Sequence, residues 1–406
     1  MGEDGHGGAL VSCVPSLPSP LQARPGKGTR MANARRGSYS AEQQTAFMRR
    51  ALELARNGLG LASPNPMVGA VVVSDGRVVG EGWHEGPRTP HAEVMALESA
   101  GERARGATMY VTLEPCSHHG RTPPCAPRLV EAGVAGVVAA VQDPNPLVDG
   151  SGFRLLRAGG VEVVVGTLED EGRELISGFA KHVRTGLPFV VLKLAASLDG
   201  KIAARDGSSR WITGDAARHD AHQLRAGSDA VVVGVGTALA DDPSLTVRLD
   251  GYRGRHPLRV VVDGRGRLPA SAAVLDGTAP ALIATVAASP ETRAAWEGRG
   301  AEVLVLDPDA DGGVPLGGLM AALGKREVQT VLVEGGSALA WSAVQGGVVD
   351  RLVLYLAPKL VGGTAAPGVL GGGGVATIAD AFSMSIRSVE RIGDDMKVVA
   401  DVHGDR

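Results

Sequence analysis

The 406-residue sequence predicts an α/β protein built from two successive domains. Three observations predict it. The length exceeds what one ordinary hydrophobic core covers. Short apolar runs alternate with helix-period stretches along most of the chain, as strands joined by crossover helices do. A helix-period stretch at 169–183 runs into Gly186-Leu187-Pro188, which breaks any regular element and marks a junction. We therefore expect an extension over 1–38, a first domain over 39–185 and a second over 186–406.

Composition removes several function classes. Hydrophobic residues make up 44% of the chain, enough for two real cores. The formal net charge is only −3 and no basic tract occurs, so neither nucleic acid nor an anionic membrane surface is an expected partner. Aromatics, at 3%, are too few to line a base-stacking groove. No apolar run reaches the length of a transmembrane helix. Three cysteines, Cys13, Cys116 and Cys125, do not form a disulfide framework. They fit a reducing, cytoplasmic compartment and raise the question of a metal. Residues 1–38 carry Pro15, Pro18, Pro20 and Pro25, lack an apolar signal segment and are expected to be disordered.

Along the first domain, Ser40 caps a helix over 41–56 with Phe47, Ala51, Leu54 and Ala55 on one side. Ser63-Pro64-Asn65-Pro66 cannot be helical. Strands follow at 68–73 and 78–83, joined by the hairpin signal Asp75-Gly76. The pattern from His91 to Ala100 is helical. A strand at 107–113 feeds the segment Glu114 to Cys125, then a helix over 126–132 ended by Gly133. Strands at 137–141 and 161–165 flank another helix.

His91 and Glu93 open one helix, and Cys116 and Cys125 bracket the start of another. One imidazole and two thiolates supply the three protein ligands of a catalytic zinc, leaving the fourth position for water. Helix N-termini favour the thiolate form of both cysteines. Glu93, two residues past the histidine, can reach that water without binding the metal, the acid–base role such a glutamate has in nucleobase deaminases. Eight residues separate the cysteines, against two in the shorter deaminase pattern. A purely structural zinc needs a fourth ligand, and His84, His118 and His119 keep that alternative open. Asn65, His84, Asp143 and Asn145 are polar groups at loop mouths. Arg121 is a cation beside the cysteine loop, facing either a phosphate or solvent.

In the second domain, a strand at 189–195 carries Lys193 on the face opposite its core set. A turn and short strand are expected over 197–203, then an Asp215-capped helix to Arg225. A strand at 229–233 leads into a glycine-rich turn, Gly234-Val235-Gly236-Thr237, and on to Asp241 through Arg248. Further strands are expected at 258–262, 281–285, 303–306 and 328–333. Val333-Glu334-Gly335-Gly336-Ser337 joins a strand to a helix and makes a phosphate-accepting turn. Gly371 to Gly374 is expected to be a flexible loop.

Taken together, these motifs resemble the bifunctional riboflavin-biosynthesis deaminase/reductases over residues 40–400. The first half carries Ser63-Pro64-Asn65-Pro66-Met67-Val68-Gly69, Gly82-Trp83-His84, His91-Ala92-Glu93, Glu114 to Cys125, and Asp143-Pro144-Asn145-Pro146. The second carries Lys193 to Lys201, Trp211-Ile212-Thr213, Gly234 to Thr237, Asp241 to Arg248 and Val333 to Gly336. The resemblance implies a cytidine-deaminase-like three-layer domain followed by a dihydrofolate-reductase-like domain. It implies hydrolytic removal of the 2-amino group of 2,5-diamino-6-(5-phosphoribosylamino)pyrimidin-4(3H)-one. NADPH would then reduce the ribosyl group of 5-amino-6-(5-phosphoribosylamino)uracil to ribityl.

By the same resemblance His91, Cys116 and Cys125 bind Zn2+ and Glu93 shuttles the proton. Asn65, His84, Arg121, Asp143 and Asn145 hold the first substrate, Arg121 standing where the family often has lysine. Lys193, Ser209, Arg225, Asp241, Leu245, Arg248 and Glu334 hold the second, with Asp241 assisting at the ribose carbon as proton relay or hydroxyl binder. Trp211, Thr213, Gly234, Thr237, Gly335 and Gly336 hold NADPH. The partner is a phosphorylated pyrimidine, and homo-oligomerisation is left open. Two competing readings are another zinc nucleobase deaminase, RNA-directed ones included, and a zinc-stabilised scaffold with a degenerate reductase.

Overall fold

The structure, a computed structural model, describes residues 39–118, 123–146 and 148–402. The expectations for 1–38, for His119 and for Arg121 lie outside those residues.

The first helix, α1 (Ala41–Ala55), starts at a capping box: Gln43 N donates to Ser40 Oγ and Ser40 N to Gln43 Oε1. It buries Met48, Ala51, Leu52, Leu54 and Ala55. Strands β1 (Gly69–Ser74) and β2 (Arg77–Trp83) turn through Asp75 and Gly76, whose φ angles of 49° and 75° make the left-handed pair a tight hairpin needs. Then come α2 (Ala92–Ala100), β3 (Thr108–Leu113), α3 (Cys125–Ala132), β4 (Gly136–Val141), α4 (Ser151–Ala158) and β5 (Glu162–Val165). The sheet order is β2-β1-β3-β4-β5, with β1 antiparallel to both neighbours and β3, β4 and β5 parallel.

The single helix expected over 169–183 is two, α5 (Glu169–Leu175) and α6 (Ser177–Thr185). They are broken at Ile176, whose φ of −110° leaves the helical region so that its side chain can be buried. Helices α1 and α5 pack on one side of the sheet, and α2 with α3 and α4 on the other, giving the expected three layers.

Glycines set how closely those layers approach. A Cβ at Gly82 would lie 2.4 Å from the Ala92 carbonyl oxygen, and one at Gly80 2.3 Å from that of Ala96. Helix α2 therefore lies directly on the backbone of β2. Gly69 does the same for α1 on the opposite face, where a Cβ would fall 2.0 Å from the Ala51 carbonyl oxygen.

The second sheet begins with β6 (Phe189–Ser197), in which Val190, Leu192 and Leu194 are buried on one face and Lys193 lies on the other. Helix α7 (Asp215–Ala226) leads to β7 (Ala230–Gly234), α8 (Val235–Asp241), β8 (Leu258–Val262), β9 (Ala281–Thr285), α9 (Pro290–Glu297), β10 (Glu302–Val305) and α10 (Leu316–Gly324). The chain continues through β11 (Thr330–Glu334), α11 (Ser337–Gln345), β12 (Arg351–Ala357), β13 (Ser385–Ile392) and β14 (Asp395–Asp401). The order is β10-β9-β8-β7-β11-β6-β12-β14-β13. Strands β10 to β12 are parallel, and β14 is antiparallel to both its neighbours. Continuous apolar runs such as Ala230–Val233 are buried because helices cover both faces. This matches the dihydrofolate-reductase-like arrangement expected.

Four local expectations are corrected. The short strand near 201–203 is a single bridge from Lys201 to Gly368. Gly214, not Asp215, is the N-cap of α7, and Asp215 is its first residue. The Gly234–Thr237 turn is the start of α8, with Gly234 as its N-cap. The Gly371–Gly374 run is pinned: Gly371 N donates to Ser337 O at 2.9 Å, and a Cβ at Gly372 would strike the Trp341 indole.

Because Gly82 lies under the first turns of α2, Gly82→Ala is expected to overpack that contact. We expect a loss of about 1–3 kcal/mol in urea unfolding. An unchanged midpoint would contradict the close approach described.

Candidate functional site

His91 is the N-cap of α2, Cys116 lies just beyond β3, and Cys125 opens α3. The His91 Nδ1 atom is 3.6 Å from Cys116 Sγ and 3.3 Å from Cys125 Sγ. A tetrahedral zinc with ordinary Zn–N and Zn–S bonds requires N···S edges of about 3.6 Å. The donor set and its spacing therefore fit zinc. Among the described residues, His91, Cys116 and Cys125 form one group able to hold a metal ion, all their donor atoms lying within 4.8 Å of one another.

Cys116 Sγ also accepts the Cys125 backbone N–H at 3.3 Å, from the first residue of α3. The Cys125 thiol, burial and His91 act on it together, and the net effect pulls the Cys116 thiol down to about 4. Cys125 is pushed up by its hydrogen bond to Cys116 and by burial.

Among the described residues the alternative of a fourth protein ligand has little to draw on. His84 Nδ1 lies 3.2 Å from the Pro90 carbonyl and must donate there. That leaves Nε2 to accept from Asn65 Nδ2 at 2.9 Å, so both ring nitrogens are engaged. Burial lowers the His84 pKa below the ordinary imidazole value. The ring stands edge-on to His91, with centroids 5.3 Å apart. His118 is exposed and outside the cluster. Three ligands among the described residues, with a fourth position for water, would be the arrangement of a catalytic zinc.

Glu93 lies in the first turn of α2 and is 4% exposed. Burial first, and then the charge of Cys116, raise its pKa to about 7. A carboxyl poised there can both take and give a proton near neutral pH.

The structure places Asp143 and Asn145 in the loop after β4, with Asn145 N donating to Asp143 Oδ1 at 2.8 Å. Burial raises the Asp143 pKa to about 6. Both residues border a cavity of about 660 Å³ that Arg173 and Arg184 also line. Glu114 was not singled out from sequence, yet its buried carboxylate accepts four backbone N–H groups. They come from Asp143 (3.1 Å), Gly150 (3.2 Å), Gly152 (2.9 Å) and Phe153 (3.3 Å). It fixes the Asp143–Asn145 loop relative to Cys116, two residues on. Its place in Glu114-Pro115-Cys116 was the available signal.

A second cluster forms at the C-terminal ends of parallel strands in the other sheet, where α/β sheets bind ligands. Lys193 on β6 pairs in register with Glu334 on β11. Arg225 from α7 grips Glu334 with two hydrogen bonds of 2.9 Å and donates to the Thr246 carbonyl at 2.7 Å. Burial raises the Glu334 pKa, but Arg225 and Lys193 outweigh it and hold the carboxyl below its ordinary range. Leu245 is buried with a left-handed φ of 54°. The next residues lead to Arg248, whose N–H donates to His222 Nδ1 at 3.2 Å. His222, also unread from sequence, lies among Arg225, Arg248 and Lys193; burial and those cations lower it to about 4.

Gly336 N donates to Thr237 Oγ1 at 3.1 Å, bringing the starts of α8 and α11 together. A Cβ at Gly336 would sit 3.0 Å from that oxygen, and one at Gly335 3.2 Å from Ala340 N. With Gly234 capping α8, this is a backbone cradle a side chain would fill, and it suits a dinucleotide phosphate. Thr213 is buried, whereas Trp211 is 61% exposed and stacks on Arg218, 4.5 Å from the guanidinium carbon. Arg210 ties this loop to Asp241 by donating to its carbonyl at 2.8 Å. The Asp241 side chain is 40% exposed. Ser209 lies on the same loop, half-buried.

Comparison with known proteins finds a match for each half of the chain. Residues 41–141 match the family of the cytidine and deoxycytidylate deaminase zinc-binding region, and residues 188–398 match the RibD C-terminal domain. The riboflavin biosynthesis protein RibD of Escherichia coli is 43% identical over 365 residues, 87% of this chain and 98% of that protein. The Bacillus amyloliquefaciens RibD is 44% identical over 356 residues, 87% of this chain and 95% of its own length. Among solved structures, Acinetobacter baumannii RibD superposes with a TM-score of 0.80 at 40% identity, covering 89% of this chain and 99% of its own. A Thermotoga maritima diaminohydroxyphosphoribosylaminopyrimidine deaminase/5-amino-6-(5-phosphoribosylamino)uracil reductase gives 0.78 at 38% identity, with the same coverage.

Replacing either thiol removes one of three ligands. Cys116→Ser and Cys125→Ser are each expected to lower bound zinc from one per chain to a small fraction, measured by elemental analysis after dialysis. Full retention by both would contradict the ligand set.

Proposed function

The chain belongs to the RibD family, and on that premise we propose how its own residues carry out the two reactions. It is a bifunctional deaminase and reductase of riboflavin biosynthesis, using zinc and NADPH. The observation that carries the reading is the meeting of His91, Cys116 and Cys125 beside the buried carboxyl of Glu93.

In the first reaction the substrate is 2,5-diamino-6-(5-phosphoribosylamino)pyrimidin-4(3H)-one. Zinc, when bound, lowers the pKa of a coordinated water toward about 7 and so supplies a nucleophile at neutral pH. Glu93 takes the proton released as water adds to C2 and delivers it to the 2-amino group as the C–N bond breaks. Water and the aminopyrimidine are consumed, and ammonia and the uracil product are formed. Asn65 hydrogen-bonds the heterocycle, His84 borders it and holds the Asn65 amide in place, Asp143 and Asn145 meet the ribose, and Arg121 the phosphate. The two-point fixing of His84 presents one tautomer, and Glu114 holds the Asp143 loop in place.

In the second reaction NADPH, when bound, would supply hydride to C1′ of 5-amino-6-(5-phosphoribosylamino)uracil; the C1′–O4′ bond breaks, O4′ takes a proton, and the ribityl chain keeps its phosphate as NADP+ forms. The hydride chemistry belongs to the cofactor; the protein orients it. Trp211, Thr213, Gly234, Thr237, Gly335 and Gly336 hold NADPH. Lys193, Ser209, Arg225, Leu245, Arg248 and Glu334 hold the substrate, and Asp241 assists at the ribose carbon. We place the domain limit at 185/186, where α6 ends and Gly186 takes a φ of 72° before Pro188. No helix among the described residues is long and apolar enough to cross a membrane; a cytoplasmic location is part of the proposal.

A sequential assay with the phosphorylated diaminopyrimidine tests the reading. Without NADPH the deaminated product should accumulate, and on adding NADPH it should be consumed. Turnover confined to cytidine or single-stranded RNA would contradict the substrate. Glu93→Gln should cut ammonia release by at least about a hundredfold while keeping one zinc per chain. Lys193→Ala and Asp241→Ala should impair NADPH oxidation and leave deamination intact. Loss of both activities together in folded protein would contradict separate sites.

A further inference from the structure

The loop that carries Asn65 is held by residues of the second sheet's domain. Gln329, immediately before β11, donates its side-chain N–H to the Pro64 carbonyl at 2.5 Å. Arg255 donates Nη2 to the Ser63 carbonyl at 2.5 Å and its backbone N–H to the Gly60 carbonyl at 3.0 Å. Tyr252 in turn donates Oη to the Arg255 carbonyl at 2.7 Å and closes over Gly60, where a Cβ would lie 2.1 Å from that hydroxyl. Gln329 is a fixed donor. It is 6% exposed, its N–H donates to Asp229 Oδ2 at 2.8 Å, and its carbonyl accepts Phe189 N at 2.7 Å.

From Pro64 the contacts continue without a gap to the metal ligands. Asn65 N donates to the Ala62 carbonyl at 2.9 Å, and its side chain donates to His84 Nε2 at 2.9 Å. His84 Nδ1 donates to the Pro90 carbonyl at 3.2 Å, and His91 is the next residue. The links are hydrogen bonds and, at Pro64-Asn65 and Pro90-His91, peptide bonds, so a shift at the Pro64 carbonyl moves the Asn65 amide and loosens its hold on the His84 ring. We infer that Gln329 and Arg255 are positioning residues for the deaminase: from the reductase side they hold the Ser63-Pro64-Asn65 loop, and through it the Asn65–His84 pair, in the substrate-binding position. This rests on the reading of Asn65 as a substrate contact. It deepens that reading by making the first site depend on the second domain without sharing its chemistry. Neither residue belongs to the reductase cluster.

The test uses the full-length, zinc-loaded enzyme. Gln329→Ala combined with Arg255→Ala is expected to raise the deaminase KM about tenfold or more, because displaced binding groups lose alignment. Zinc should stay at one per chain, and the reductase KM and kcat for the deaminated substrate should not change. Gln329→Glu, which keeps the volume but offers no donor to the Pro64 carbonyl, should reproduce the effect. Arg255→Lys, which keeps a donor, should recover most of the Arg255→Ala loss. Asn65→Ala is measured alongside. If it impairs deamination while the double variant has wild-type constants, the positioning inference is wrong and the Asn65 reading stands. If Asn65→Ala has no effect, both fall. Parallel loss of both activities with a lowered Tm in every variant would show a general structural role and overturn the inference.

Discussion

An imidazole nitrogen and two sulfurs from three chain segments, 25 and 34 residues apart in sequence, must be held within 4.8 Å of one another. Two thiolates at that distance repel, and the surroundings answer the repulsion. The Cys125 N–H at the start of α3 points at Cys116, and His91 lies against both sulfurs. A divalent cation held by these three atoms would complete the compensation, and the spacing fits zinc. The rest of the first domain serves that convergence. The glycine face of β2 lets α2 come down onto the sheet and delivers His91 and Glu93. Strand β3 delivers Cys116, and α3 delivers Cys125.

The reductase cluster meets a related constraint by different means. Glu334 is 15% exposed and would be costly to ionise alone. The two hydrogen bonds from Arg225 and the neighbouring Lys193 remove that cost. The same pairing fixes the ends of β6, β11 and α7 relative to one another, so a structural ion pair also arranges binding groups. The Thr237–Gly336 hydrogen bond performs the equivalent task for the glycine cradle.

Much of this was legible in the sequence, for identifiable reasons. His91, Glu93, Cys116 and Cys125 are chemically distinctive and stand beside strong helix and strand signals. Asp75-Gly76 marked its hairpin, and Lys193 stood out as a charge within an apolar strand. What escaped was set by tertiary contact. Ile176 breaks a helix-period stretch because its side chain is buried. The Gly234–Thr237 turn is helical because its N-terminus is braced by Gly336. The edge strand β13 went unread because it is largely exposed and lacks apolar alternation. Glu114 and His222 act through backbone N–H groups, which leave no trace in residue type. Gln329 and Arg255 touch a loop more than 190 residues away.

On the proposed reading the two chemistries occupy separate clusters, while the loop feeding the first is held by Gln329 and Arg255. The most direct test of the metal centre is zinc K-edge X-ray absorption on the purified, full-length protein. Two sulfur scatterers at about 2.3 Å and two nitrogen or oxygen scatterers at about 2.0–2.1 Å, with imidazole signal from a single ring, are expected. A shell showing two imidazoles with the two sulfurs and no exchangeable oxygen, or no zinc in active protein, would contradict an open three-ligand site.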